Sequence, residues 1–123
     1  MPGDSKPWPT EIRLKRAEKM LEVDFDDGRS FALPAELLRV ESPSAEVKGH
    51  GGPRQIVAGR RHVGIMNLER VGNYAVRILF DDLHDTGIYS WDYLYELGER
   101  REEIWQRYLD ALAERGLSRD PKR

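Results

Sequence analysis

The chain has 123 residues, a length that suits one domain around one hydrophobic core. Its 20 Lys and Arg stand against 22 Asp and Glu, a formal charge of -2, which excludes the bulk basicity of a dedicated duplex-binding protein. There is no cysteine, so disulfides, thiolate metal sites and cysteine nucleophiles are excluded too.

Residues 1–9 hold three Pro and read as a flexible lead-in, with Trp8 as the one side chain suited to pack on a first strand. The opening MPGDSKPWPTE lacks a charged-then-apolar signal pattern, and no run approaches the ~18 apolar residues of a membrane span. A cytoplasmic protein is the expectation. From Thr10 the residues alternate: Ile12 and Leu14 fall on one side of TEIRLKR, Glu11, Arg13 and Lys15 on the other. A turn near residues 17–19 leads into MLEVDF, where Leu21, Val23 and Phe25 alternate again. This is the pattern of a β-hairpin with one buried face. Asp27-Gly28 marks a second turn and SFAL a third strand. Pro34 suits a first helical turn, so PAELLRVE is expected to be a short helix burying Leu37 and Leu38.

Residues 41–64 form a long Gly- and Pro-rich segment. Two further strands follow, HVGIMNLERVG and NYAVRILF, then a turn at residues 81–85 and a brief strand TGIY. Ser90 is a good N-cap with Asp92 in the first turn, and Gly98 is expected to end or kink the helix WDYLYEL. The main helix comes last, with Ile104, Trp105, Tyr108, Leu109 and Leu112 on one face and Gly116 as a left-handed cap. Residues 10–117 are expected to form the single domain and residues 118–123 to fray. The elements describe an α+β fold: small antiparallel β-sheets in two layers, with a short helix and a C-terminal helix.

The stretches VDFDDGRSFALPAELL and ILFDDLHDTGIYSWDYL share an order of strand, Phe-Asp-Asp, turn, strand and helix start. Phe25 matches Phe80, and Leu37 matches Leu94 after a two-residue insertion. The plain reading is that any such unit looks alike. A true repeat would make the two Asp-Asp pairs equivalent turns. Either way these acids are turn-formers rather than an acid–base pair.

Taken together, TEIRL, FDDGRSFALPAELLRVESPSAEVKGHG and GNYAVRILFDDLHDTGIYSWDYLYEL resemble the gamma-butyrobetaine hydroxylase-like N-terminal domain family, over nearly the whole chain. The resemblance implies a stand-alone bacterial-type member with no established biochemical activity. In the related oxygenases this domain precedes the catalytic domain and binds zinc through closely spaced cysteines and a later histidine. A similar domain is appended to ATPases linked to iron–sulfur assembly. The matching positions here are Ser42, Ser44, Val47 and His84. Serine hydroxyls ionise far too weakly to replace thiolates, and valine cannot ligate. The resemblance therefore implies a metal loop that has lost its metal, with the serines bonding neighbouring groups instead.

Other chemistries are weaker. No H-x-D pair exists for an iron oxygenase, Gly-x-Ser-x-Gly is absent, and Gly49-His50-Gly51-Gly52 lacks a Walker lysine. No catalytic residue, enzyme activity or cofactor is expected. If any metal binds, its ligands would come from His50, His62, His84 and Asp85. Between Glu46 and Glu69 no acid opposes Lys48, Arg54, Arg60 and Arg61, so residues 48–61 are expected to be mobile and to carry any anion or partner recognition. The bland alternative is that these cations balance the Asp-rich turns. The expected function is a non-catalytic accessory or interaction module acting on another protein. Alternatives are a metal-related role, or anion or RNA binding through the loop at 48–61. No membrane partner is expected.

Overall fold

The computed structural model describes residues 6–44 and 55–121. Strands β1 (Pro9–Lys15), β2 (Met20–Phe25) and β3 (Ser30–Pro34) form one antiparallel sheet in that order, and helix α1 (Ala35–Val40) follows directly. Strands β4 (Ile65–Val71), β5 (Ala75–Phe80) and β6 (Ile88–Ser90) form a second, followed by helices α2 (Trp91–Glu99) and α3 (Arg101–Glu114). This is the α+β arrangement of two small antiparallel sheets with a short helix and C-terminal helices.

The alternation along β2 explains the first sheet. Leu21, Val23 and Phe25 are buried, and register places Leu14 and Leu33 beside Leu21, with Ile12 and Phe31 beside Val23. The outer face is polar: Arg13 donates to Glu22 at 2.9 Å and to both oxygens of Asp24 at 2.9 and 3.1 Å. In the second sheet Val76, Ile78, Phe80 and Tyr89 point inward. Both inner faces join Leu94, Leu97 and Ile104 in one hydrophobic cluster. Each such fully buried side chain contributes about 1.5–3 kcal/mol relative to exposure.

The two sheets repeat one another in hydrogen bonding, so the Phe-Asp-Asp echo is a structural repeat. Asp26 N–H bonds Trp8 O just before β1, and Asp81 N–H bonds Gly64 O just before β4, at 2.8 and 2.9 Å. Phe25 and Arg29 close the first Asp-Asp turn as Phe80 and His84 close the second. In each turn the second aspartate accepts the N–H two residues on, Arg29 to Asp27 and His84 to Asp82. Helix α1 starts with Ala35 N–H on Lys19 O, and α2 with Trp91 N–H on Tyr74 O. That last equivalence sets Leu38, not Leu37, against Leu94, with an insertion of one residue rather than two.

The helices are exchanged between the halves. Tyr95 of α2 donates to Asp27 in the first turn at 2.5 Å, and Arg39 of α1 donates to Asp82 in the second at 2.8 Å. Each Asp-Asp turn is thus pinned by the helix of the other half, which locks the sheets into one body.

Several local expectations change. Pro34 ends β3 in extended geometry at the N-cap position of α1 instead of entering its first turn. Gly98 lies inside α2, one residue before its end, and its role is close approach: a Cβ there would sit 2.3 Å from the Phe31 ring. Residues 55–61, expected to be mobile, are docked. Ile56, Val57 and Ala58 pack against Tyr108, Leu112 and Val40. Of the tail expected to fray, Ser118 and Arg119 are docked with them, because Gly59 N–H bonds Ser118 O and Arg61 N–H bonds Arg119 O, both at 2.9 Å. As expected, Ser90 caps α2 by accepting Tyr93 N–H, and Gly116 at φ 64 closes α3 with Leu117 N–H on Leu112 O.

Candidate functional site

The end of α1 and the second Asp-Asp turn meet in a buried polar cluster. Leu37, Leu38 and Val40 draw α1 into the core, so the chain leaving it at Glu41, Ser42 and Ser44 is buried as well. Ser42 Oγ lies 2.9 Å from His84 Nε2 and Ser44 Oγ lies 3.4 Å from the same nitrogen. Ser44 N–H donates to Ser42 Oγ at 3.3 Å. Three of the four positions implied by the family resemblance, Ser42, Ser44 and His84, therefore come together as a hydrogen-bonded closure. Gly87 makes room for it, since a Cβ there would stand 2.5 Å from Ser42 Oγ.

Beside this closure, Asp82 holds two arginines. Arg39 Nε is 2.8 Å and Arg60 Nε 2.7 Å from the same carboxylate oxygen, the second an ion pair without hydrogen-bond geometry. Burial pushes the Asp82 carboxyl up, but the Arg39 bond, the His84 N–H and the two arginine charges outweigh it, and it falls below the usual value. Tyr89 is fully buried and donates to Leu38 O. Burial pushes its phenol upward, so it stays a neutral donor. The sequence reading took Asp82 as a turn-former and offered the loop cations as balance for the Asp-rich turns, which is what Arg60 does; it gave Arg39 and Tyr89 no role. The repeat was a second signal, because it places Asp82 where Asp27 stands.

The donor set does not fit zinc. Two neutral hydroxyls and one imidazole supply no thiolate, and hydroxyls hold the cation too weakly to fix it. Val47 and His50 lie outside the described residues. His62 and Asp85 are exposed while His84 is buried, and no group of three His, Asp or Glu gathers to hold a metal among the described residues. Nor does the Ser42–His84 contact make an accessible nucleophile. Its distance suits a general base, but Ser42 is 0% exposed, shut behind Pro43, Gly87 and Tyr89. What this arrangement does is lock the 81–85 turn onto α1.

Of the four cations, the two described ones are held by carboxylates. Arg60 is engaged by Asp82 and by Ala58 O, and Arg61 pairs with Asp120. Lys48 and Arg54 lie outside the described residues. Among the described residues no helix is long and apolar enough to cross a membrane.

The locked turn presents Leu83, at φ 72 and 79% exposed. The equivalent position of the first turn is Gly28, at φ 90, a residue that takes such a backbone without a Cβ clash. A leucine there is strained and gains nothing from burial.

Comparison with known proteins places these features in a family. Two proteins solved by NMR in solution are each 46% identical to the chain. One covers 97% of it and 94% of its own length with a TM-score of 0.84, the other 98% and 91% at 0.82. A crystal structure of a protein of unknown function from Acidithiobacillus ferrooxidans, of the DUF971 family, is 42% identical. It covers 76% of this chain and 98% of its own, with a TM-score of 0.65. No curated protein matches the chain. Residues 12–95, which span both sheets, the Ser–His closure and the start of α2, match the gamma-butyrobetaine hydroxylase-like N-terminal family. The chain belongs to that family.

Proposed function

We propose that the chain is a non-catalytic interaction module that binds another protein through the turn at residues 81–85. The observation that carries this reading is Leu83, an apolar side chain 79% exposed on a backbone that disfavours it. Single exposed leucines are common and need no explanation. A strained one is different, because strain persists only where the surroundings impose it, and such sites cluster where ligands are held. The surroundings here are the Asp82–Arg39 and His84–Ser42 contacts. They fix the turn before any partner arrives, which lowers the entropy lost on association. Ser42 and His84 act in this reading as a brace with no catalytic or metal role.

The test separates binding from folding. Leu83→Gly relieves the left-handed strain and removes almost no packing, so it should leave the protein as stable or up to about 1 kcal/mol more stable. Affinity capture from native cells, followed by direct binding to the captured protein, should show the partner retained by the native chain and lost by Leu83→Gly. Equal retention by both chains, or no partner for either, would sink the reading.

A further inference from the structure

A second feature, remote in chemistry from the turn, is the carboxylate of Glu36 on α1. It is 7% exposed, and a buried carboxylate requires a partner of opposite charge. That partner is Arg119, delivered by the tail after Gly116. Its Nε donates to Glu36 Oε2 at 2.8 Å and its Nη2 to Oε1 at 2.7 Å, a bidentate fork. The same guanidinium lies 5.1 Å from the Trp105 ring centre. Two parallel N–H donors and a flat cation over an indole are what a guanidinium supplies and a lysine ammonium does not.

Besides the Arg119 fork and the Arg61–Asp120 ion pair, the tail is held through main-chain bonds, Ser118 O and Arg119 O accepting from Gly59 and Arg61 N–H. Main-chain pairing is indifferent to the sequence that accepts it, and extended segments of other proteins bind by this mode. Beside the ion pair lies a cavity of about 470 Å³, lined by Leu37, Arg101 and Glu102 together with Glu36, Trp105 and Arg119. It has room for residues flanking an inserted arginine.

We propose that Glu36 and the face of Trp105 form a guanidinium-binding site for an arginine in an extended segment of a protein partner, occupied in the free chain by its own Arg119. Tail and partner segment then exclude one another. The site admits a competitor only if it brings a guanidinium, because displacing Arg119 otherwise strands a buried carboxylate.

The test uses the full chain and a capped peptide, acetyl-Ser-Arg-Asp-amide. Arg119→Ala vacates the site, so the peptide should raise its melting temperature and shift the Trp105 indole resonance. The lysine counterpart should bind at least about tenfold more weakly. Adding Glu36→Gln to Arg119→Ala should abolish the response, and the native chain should need far more peptide to respond. Should Arg119→Ala fail to fold, Arg119→Lys retains a cation, and the arginine peptide must displace it with the same dependence on Glu36. No response in either variant, or one that survives Glu36→Gln, overturns the proposal. A native chain found as a dimer with exchanged tails would also overturn it, since Arg119 would then not be held in cis.

Discussion

Replacing Asp82 with alanine should lower the unfolding free energy by about 3 kcal/mol, the low end of what removing one member of a buried ion pair costs. The Arg39 side chain is 9% exposed, and its Nη1 already lacks a hydrogen-bond partner. Without Asp82, Arg39 would be left buried and uncompensated, Arg60 would lose its pair, and His84 N–H its acceptor. Asp82→Asn keeps an acceptor for that N–H and should lose less. The pH dependence follows in sign. The folded protein holds the Asp82 carboxyl below its unfolded value of 3.8, so the unfolded state takes up its proton first as pH falls. Its contribution is complete above about pH 5, where the unfolded carboxyl is ionised too, and disappears as pH falls through the lower folded value. Urea unfolding of the native chain and Asp82→Asn between neutral and acid pH should show a smaller acid-side loss in the variant. Parallel curves would mean that Asp82 does not anchor the turn.

Gly98→Ala should be the other large effect, a net loss of about 2 kcal/mol. The new Cβ would fall 2.3 to 2.6 Å from three Phe31 ring carbons. That ring is held edge-on by Phe25 and Tyr95, with centroids 5.9 and 5.3 Å away, so it cannot swing aside without breaking both contacts. Overpacking costs about 1–3 kcal/mol, and a Cβ this close to three ring carbons belongs at the upper end of that range. The gain of about 1 kcal/mol from replacing a helical glycine by alanine offsets only part of it. Thermal melts should place the variant below the native chain by several degrees. A rise in melting temperature would show that α2 can slide away from β3, and that the helix exchange is looser than described.

How much of this was legible in the sequence depends on range. Alternation through Leu21, Val23 and Phe25, the Ser90 cap and the Gly116 cap act over a few residues, and their patterns located the elements. The repeat was visible in Phe25-Asp26-Asp27 and Phe80-Asp81-Asp82, yet its helix register was misset by one residue. Only the long-range bonds from Ala35 and Trp91 fix that alignment. Segments with no periodicity were misjudged. Gln55 to Arg61 looked mobile because glycines and unopposed cations surround it, whereas Tyr108 and Leu112 on one side and the tail on the other hold it. The polar residues of α1 posed a similar problem. Glu36 and Arg39 look like the solvated face of a short helix, but all six residues of α1 are buried, because the other half's turn and the tail cover its outer side. The meeting of Ser42, Ser44 and His84 came from family resemblance and not from any spacing, since 42 positions separate Ser42 from His84.

The account rests centrally on the Ser42–Ser44–His84 closure working as a hydrogen-bonded brace with no metal. The most direct measurement is elemental analysis of protein purified without a histidine tag, joined to thermal melts with and without a chelator. The account predicts no stoichiometric zinc or iron and superimposable melts. Stoichiometric metal, with a melting temperature that falls on chelation, would contradict it. It would make His84 a ligand rather than a brace.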